Sequence, residues 1–361
     1  MKPTCINITS GTNTYPIHIA TGLISRLSSL VDQTATKGRR FIVSNSTIWR
    51  IHGQTISTAL PDAETILIPD GERFKTLHTV SRIYESLIRA GADRQATLVA
   101  VGGGIVGDVA GFAAATFLRG ITILHVPTTL LAQVDSAIGS KVGVNHTLGK
   151  NLIGAFYPPA SVLIDPELLT TLPRREFRAG LYEVIKYGMI ANRDLFKRVE
   201  RDLSALFDHN QTALQPIIAE CCQIKGSIVE TDEREAGLRR ILNFGHTVGH
   251  AIEAVTKYRR FKHGEAVGYG MLAAADIAER RRTFAPESRK ALSELLAKLG
   301  PMPSVTDLSS KQVTDMINRD KKIKEGKIHF VLPSSIGTTV VVDDVTTRQI
   351  NAALKRLGLR P

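Results

Sequence analysis

Ala96-Thr97-Leu98-Val99-Ala100-Val101 runs without a break into Gly102-Gly103-Gly104-Ile105-Val106-Gly107-Asp108. The first part reads as a short apolar strand and the second as a turn that opens a helix. Gly102, Gly104 and Gly107 fit G-x-G-x-x-G in the strand–turn–helix setting that this motif requires. Glycines let the backbone approach a pyrophosphate, and the helix N-terminus adds free N–H groups and positive potential. Such a turn also arises for packing alone. The acidic residue usually found about 20 residues further on is missing, since Ile121-Thr122-Ile123-Leu124-His125-Val126 carries no carboxylate. The turn is therefore either a variant dinucleotide site or structural.

Working outward, strand-like runs at 39–44, 64–68, 96–101 and 121–126 alternate with helical patterns at about 46–60, 76–91 and 105–116. Strands separated by amphipathic helices imply βαβ units and a parallel sheet. Two more loops, Asp70-Gly71-Glu72 leading to Lys75 and Pro127-Thr128-Thr129, follow predicted strands at the edge where such sheets bind ligands. From about Pro166 the pattern turns helical, with segments near 174–190, 210–231, 244–256, 264–283 and 286–299 and one late strand pair at 327–332 and 338–342. The expected architecture is α/β plus α. A Rossmann-like parallel-sheet domain over 1–165 precedes a mainly helical metal-binding domain over 166–361.

The chain has 361 residues, 43% of them hydrophobic and 22% charged, the balance of an ordinary globular protein with a sizeable core. Three cysteines, Cys5, Cys221 and Cys222, form no C-x-x-C pair and suit a reducing compartment. The start lacks the apolar stretch of a signal peptide, and no run approaches the length of a membrane span, so a cytoplasmic protein is expected. The surplus of 46 basic over 34 acidic residues raises the question of nucleic acid. Its clusters, such as Arg280-Arg281-Arg282 and Lys321-Lys322, are scattered and lack interleaved aromatics. A small polyanionic substrate and solvated surface account for the surplus better.

His246 and His250 stand at i and i+4, one face of a helix, and His263 follows with Glu265 two residues on. Imidazoles with a carboxylate suit zinc with an open position for substrate. Packed, hydrogen-bonded histidines are the alternative for such a pair. No H-E-x-x-H is present, which excludes a zincin protease. Spacing does not say which histidines are ligands or where the carboxylate comes from.

Over essentially its whole length the chain resembles the 3-dehydroquinate synthase family. The resemblance is carried by Gly102 to Asp108, Pro127-Thr128-Thr129-Leu130-Leu131-Ala132-Gln133-Val134-Asp135-Ser136 and Lys141 through Gly149-Lys150-Asn151. It continues in Glu183-Val184-Ile185-Lys186-Tyr187-Gly188, Leu242-Asn243-Phe244-Gly245-His246-Thr247-Val248-Gly249-His250 and His263-Gly264-Glu265-Ala266-Val267. It implies zinc, or cobalt in its place, on Glu183, His246 and His263. It implies NAD across Asn45, Asp70, Glu72, Lys75, Gly103, Gly104, Gly107, Asp108, Thr128 and Thr129, with Asp135, Lys141 and Lys150 alongside. Around the substrate it implies Asp135, Lys141, Lys150, Asn151, Lys186, Lys225, Arg239, Asn243, His250 and Lys327. Arg119 would reach the phosphate of a neighbouring subunit's substrate in a homodimer. Catalytic roles would fall to Lys141, Lys186, Asn243 and His250, with Glu235 orienting neighbouring groups.

The implied substrate, 3-deoxy-D-arabino-heptulosonate 7-phosphate, carries a carboxylate and a phosphate, the natural partners of Lys and Arg. The implied reaction is transient oxidation by NAD, phosphate elimination, re-reduction, ring opening and aldol closure to 3-dehydroquinate. Two alternatives share much of the pattern: a metal-dependent alcohol or glycerol dehydrogenase, and another sugar phosphate cyclase. Against the first, Glu183-x-x-Lys186 and the Lys141 to Asn151 loop look built for a polyanion. Against the second, Lys225, Arg239, Asn243 and His250 favour a substrate bearing a carboxylate.

Overall fold

A computed structural model of the chain describes residues 3–34, 37–235, 237–323 and 328–361. In chain order the strands are β1 (Thr4–Ser10), β2 (Asn13–Ile19), β3 (Arg40–Asn45), β4 (Glu64–Ile68), β5 (Thr97–Gly102), β6 (Thr122–Pro127), β7 (Lys141–His146), β8 (Gly149–Phe156), β9 (Ser161–Ile164), β10 (Phe330–Ser335) and β11 (Thr338–Val342). The α-helices are α1 (Leu27–Thr34), α2 (Ser46–Ala59), α3 (Leu77–Arg89), α4 (Gly104–Thr116), α5 (Arg174–Ala191), α6 (Arg193–Phe207), α7 (Gln211–Thr231), α8 (His246–Val255), α9 (His263–Arg280), α10 (Pro286–Lys298), α11 (Ser310–Ile323) and α12 (Thr347–Arg356). They form two compact units, Met1–Pro173 with Phe207–Glu233, and Arg174–Leu206 with Arg234–Pro361.

The first unit is built on a seven-stranded sheet of order β1-β2-β9-β6-β5-β3-β4. Every pairing from β2 to β4 is parallel, and only β1 runs antiparallel to its neighbour. Side chains alternate across a strand, so the unbroken apolar run of β5 serves two cores. Leu98 and Ala100 pack with Val80, Ile83 and Leu87 of α3 and Val109, Ala110 and Ala113 of α4. Val99 and Val101 pack on the other face with Leu27, Leu30 and Val31 of α1 and Ile56 of α2. Coverage on both faces is why these strands read as continuous hydrophobic stretches. The parallel α/β sheet and the helical remainder match the expected fold class.

Three features differ from the sequence reading. First, β1, β2 and β9 extend the sheet beyond the four strands anticipated. Secondly, the stretch from Lys141 to Asn151, expected as a loop, lies in the antiparallel hairpin β7–β8. Gly143 and Gly154 conceal it, because they interrupt the apolar alternation. A Cβ on Gly143 would stand 2.6 Å from the Ile153 carbonyl oxygen, and one on Gly154 2.4 Å from that of Val142. Thirdly, α7 belongs with the first unit, although a division at 165/166 assigns it to the second. The helix lies against β1: Glu230 Oε1 accepts the Thr9 N–H at 2.7 Å. At Gly226 a Cβ would come within 2.7 Å of Ile8 Cδ1.

The second unit is mainly helical, with the hairpin β10–β11 as its only sheet among the described residues. Its central helices meet backbone to backbone. A Cβ on Gly264 of α9 would fall 2.0 Å from the Ala179 carbonyl oxygen of α5, and one on Gly270 would fall 1.7 Å from that of Gly245. The late strand pair begins at Phe330 rather than 327, and Lys327 lies outside the described residues. No helix among the described residues is long and apolar enough to cross a membrane.

Candidate active site

In the first unit the C-terminal ends of β6, β5, β3 and β4 lie side by side, and the three loops singled out in the sequence follow β6, β5 and β4. Asn45 caps α2 by accepting the Ile48 N–H at 2.9 Å and donates to Asp70 Oδ1 at 3.2 Å. This joins the ends of β3 and β4. The glycine turn is tight: a Cβ on Gly103 would stand 3.1 Å from Thr129 Cγ2, and one on Gly104 2.8 Å from Ser136 Oγ. Thr128 donates its N–H to the Gly102 carbonyl at 3.0 Å, and Thr129 Oγ1 accepts from Ala132 N at 3.1 Å. The hydroxyls of Thr128 and Ser136 are buried without a hydrogen-bond partner among the described residues. A buried polar atom is costly unless paired, so two beside a backbone cradle that excludes side chains fit a polar ligand at this turn. His125 lies under Gly107, and burial pushes its pKa down to about 4.

A polar network extends from this edge. Lys75 is buried and pairs with Asp108 and with Asn151 Oδ1. Burial raises the Asp108 pKa and the Lys75 ammonium opposes the rise. Asn145 donates to Glu72 Oε1 at 2.8 Å and accepts the Asn151 N–H at 2.9 Å. Lys150 Nζ lies 3.6 Å from Glu72 Oε1. Lys225, on α7, donates to the Asp135 carbonyl at 2.6 Å and to its carboxylate at 2.7 Å. Asp135 sits in a π-helical turn, Ala132–Ser136, a wide turn often found at functional sites. Lys141 is exposed at the start of β7. Arg119 is not gathered with these groups. It is exposed just beyond the far end of the 13-residue α4, roughly 20 Å from the glycine turn by the rise of a helix.

In the second unit Glu183 is wholly buried on α5 and forms an ion pair with buried Lys186 one turn on. His246 and His250 come from α8 and His263 from the first turn of α9. Ligand atoms of the three histidines lie within 4.8 Å of one another. Glu183 Oε1 is 3.8 Å from His246 Nε2 and 3.5 Å from His263 Nε2. The opposite ring nitrogens have acceptors: His246 Nδ1 is 3.2 Å from the Phe244 carbonyl and His263 Nδ1 is 3.4 Å from Glu253 Oε2. Acceptors at Nδ1 set the tautomer that leaves the Nε2 lone pairs facing Glu183. One buried carboxylate with converging imidazoles fits zinc or cobalt. Burial and then Lys186 hold the His246 pKa well below its ordinary value. At His263 burial also lowers the pKa, but hydrogen bonds to Glu183 and Glu253 outweigh it and raise the value to about 10.

Asn243 donates to Glu235, and Arg239 is buried in the intervening turn Leu238–Asn243. Glu265 is otherwise engaged. Both its oxygens receive the Arg175 guanidinium at 2.7 Å, and Oε2 also takes the Lys262 N–H at 2.8 Å. The carboxylates beside the imidazoles are Glu183 and Glu253 instead. Glu253, Asn145 and Ser136 escaped the sequence reading. Glu253 had a signal, since His246, His250 and Glu253 stand at i, i+4 and i+7 on one helical face.

Comparison with known proteins meets this geometry. A family profile described as 3-dehydroquinate synthase N-terminal matches residues 65–179, and one described as 3-dehydroquinate synthase C-terminal matches residues 180–323. The chain belongs to the 3-dehydroquinate synthase family. A 3-dehydroquinate synthase from Rippkaea orientalis is 44% identical over 347 residues, covering 94% of this chain and 95% of that protein. Among solved structures, 2-deoxy-scyllo-inosose synthase complexed with carbaglucose-6-phosphate, NAD+ and Co2+ is 29% identical. It has a TM-score of 0.88 and covers 98% of this chain and 100% of that one. The 2-epi-5-epi-valiolone synthase ValA of Streptomyces hygroscopicus, with NAD+ and Zn2+ bound, is 28% identical. Its TM-score is 0.86, with 95% of this chain and 96% of that one covered. The family expected from the motifs is thus the family shown, and 3-dehydroquinate synthase is an enzyme.

Proposed function

We propose that the chain converts 3-deoxy-D-arabino-heptulosonate 7-phosphate to 3-dehydroquinate and phosphate, with NAD and Zn2+ or Co2+ as cofactors. The observation that carries this reading is the cluster of His246, His250 and His263, with His246 and His263 facing buried Glu183, in a chain 44% identical to a 3-dehydroquinate synthase. Sugar phosphate cyclases of other specificity stand further off, at 28% and 29% identity. A dehydrogenase would consume NAD one for one, whereas this reaction returns it.

Glu183, His246 and His263 would hold the metal, which when bound supplies Lewis acidity toward adjacent substrate oxygens. The NAD-binding groups would be the glycine turn with Asn45, Asp70, Glu72, Lys75, Asp108, Thr128 and Thr129. Asp135, Lys141 and Lys150 stand alongside them. NAD supplies a hydride acceptor that is restored at the end of each turnover. The chain's own side chains bind, orient and move protons. Lys141, Lys150, Asn151, Lys225, Arg239 and Lys327 would engage the substrate's carboxylate and phosphate, and Asp135 holds the Lys225 ammonium in place. His250, with Lys186 and Asn243, would handle the proton at the oxidised hydroxyl. Glu235 orients Asn243 by accepting its amide N–H. Fixing these groups contributes through orientation and electrostatics rather than a covalent intermediate. We also place the enzyme in the cytoplasm as a homodimer, where Arg119 would reach the substrate phosphate of the neighbouring subunit. Its distance from the glycine turn of its own chain supports that role.

Replacing His263 by Ala tests the reading. Zinc and turnover are expected to disappear together, while a metal-free variant with full activity would contradict the metal assignment.

A further inference from the structure

We propose that Glu253 is a positioning residue of the metal centre, which fixes and strengthens His263 as a ligand without touching the metal or the substrate. The proposal rests on the metal reading above. His263 lies between two carboxylates carried by different helices. Glu183 of α5 faces its Nε2 at 3.5 Å, and Glu253 of α8 faces its Nδ1 at 3.4 Å. As a metal ligand the His263 imidazole is neutral, with one N–H and one lone pair that goes to the metal. Both carboxylates cannot receive a proton from it, so the ring must choose. Glu183 is the carboxylate that His246 Nε2 also faces, at 3.8 Å, and it is therefore the side on which lone pairs converge. Glu253 is left as the acceptor for Nδ1–H.

The two histidines differ in this respect. His246 Nδ1 meets a neutral backbone carbonyl, that of Phe244, whereas His263 Nδ1 meets an ionisable side chain. A carboxylate partner draws the Nδ1 proton more strongly, so it raises electron density at Nε2 and makes the imidazole a better ligand. Glu253 is 5% exposed, so water screens the interaction little. Its place is also fixed by the fold. It stands on the α8 face that carries His246 and His250, and Gly249 between them packs against α9, where a Cβ would lie 3.0 Å from the Ala266 carbonyl oxygen. That close approach sets α8 against the first turn of α9, where His263 begins.

Glu253→Gln and Glu253→Ala provide the test, with His263→Ala alongside. Each full-length protein is reconstituted with Zn2+ alone, and zinc affinity is read by competition with a chromogenic chelator. The visible absorption of the Co2+-loaded proteins reports the ligand field. Wild type is expected to bind one zinc per chain. Glu253→Gln keeps the shape and an acceptor oxygen but loses the charge, and should bind about tenfold more weakly; Glu253→Ala should bind about a hundredfold more weakly. The Co2+ bands should shift in the same order, with the far-ultraviolet circular dichroism of Glu253→Gln unchanged. Wild-type zinc affinity and an unchanged Co2+ spectrum in Glu253→Gln and Glu253→Ala, with zinc lost in His263→Ala, would overturn the role of Glu253 and leave the metal centre standing. Undiminished zinc binding by His263→Ala would overturn the metal centre itself, and the proposal with it.

Discussion

Lys75 shows what a single side chain does at the sheet edge. Its ammonium is buried against Asp108 and Asn151, and it offsets the burial that pushes the Asp108 pKa up. Lys75→Met would leave the carboxylate without its cation. Breaking a buried pair costs about 3–5 kcal/mol; with Asp108 24% exposed, about 2–4 kcal/mol is expected. The loss has a pH signature. With the folded pKa raised above the unfolded one, ionised Asp108 destabilises the fold at neutral pH. The penalty fades as the pH falls through the raised folded pKa toward the ordinary carboxylate value, below which Asp108 is protonated in both states and the penalty is gone. Urea unfolding at about pH 7 and about pH 4 reads this directly, and an equal loss at both would contradict it. Asp108→Asn in the same chain should recover much of the stability at neutral pH.

Helix packing explains how histidines distant in sequence from Glu183 come to face it. Gly264 brings α9 to the backbone of α5, and Gly270 brings it to Gly245 at the start of α8. Gly264→Ala would place a Cβ 2.0 Å from a carbonyl oxygen, a clash between two backbones that no side-chain rotation relieves. Overpacking of this kind costs about 1–3 kcal/mol or more, so chemical denaturation should register at least that loss, together with reduced zinc content. Wild-type stability and zinc in Gly264→Ala would show that the helices do not depend on this approach. The same contacts set the limits of what the sequence discloses. The strands β3 to β6 were legible because burial on both faces leaves an apolar run with turn residues at each end. His246 and His250 were legible as a helical face, and Glu253 completes it. Glu183 was not legible from spacing, because only backbone contact between α5 and α9 makes it a neighbour of His263; family resemblance supplied it. The hairpin β7–β8 was hidden by Gly143 and Gly154, the residues that let its strands pair closely.

At the scale of the molecule, the candidate residues fall into two sets, one built on the parallel sheet of the first unit and one on the helices of the second. The proposal gives NAD to the first set and the metal to the second, and this separation is testable. Gly104→Val would force a side chain into the space beside Ser136. It should weaken NAD binding about tenfold or more, read by calorimetry, and leave one zinc per chain in place. Loss of zinc in that variant would argue against independent sites. The central claim concerns the overall reaction and is tested most directly by phosphate release from 3-deoxy-D-arabino-heptulosonate 7-phosphate, with NAD far below the substrate concentration, before and after chelation. The account predicts many turnovers per NAD, abolished by the chelator and restored by zinc. Absence of phosphate release, with simple alcohols reducing NAD one for one, would contradict it.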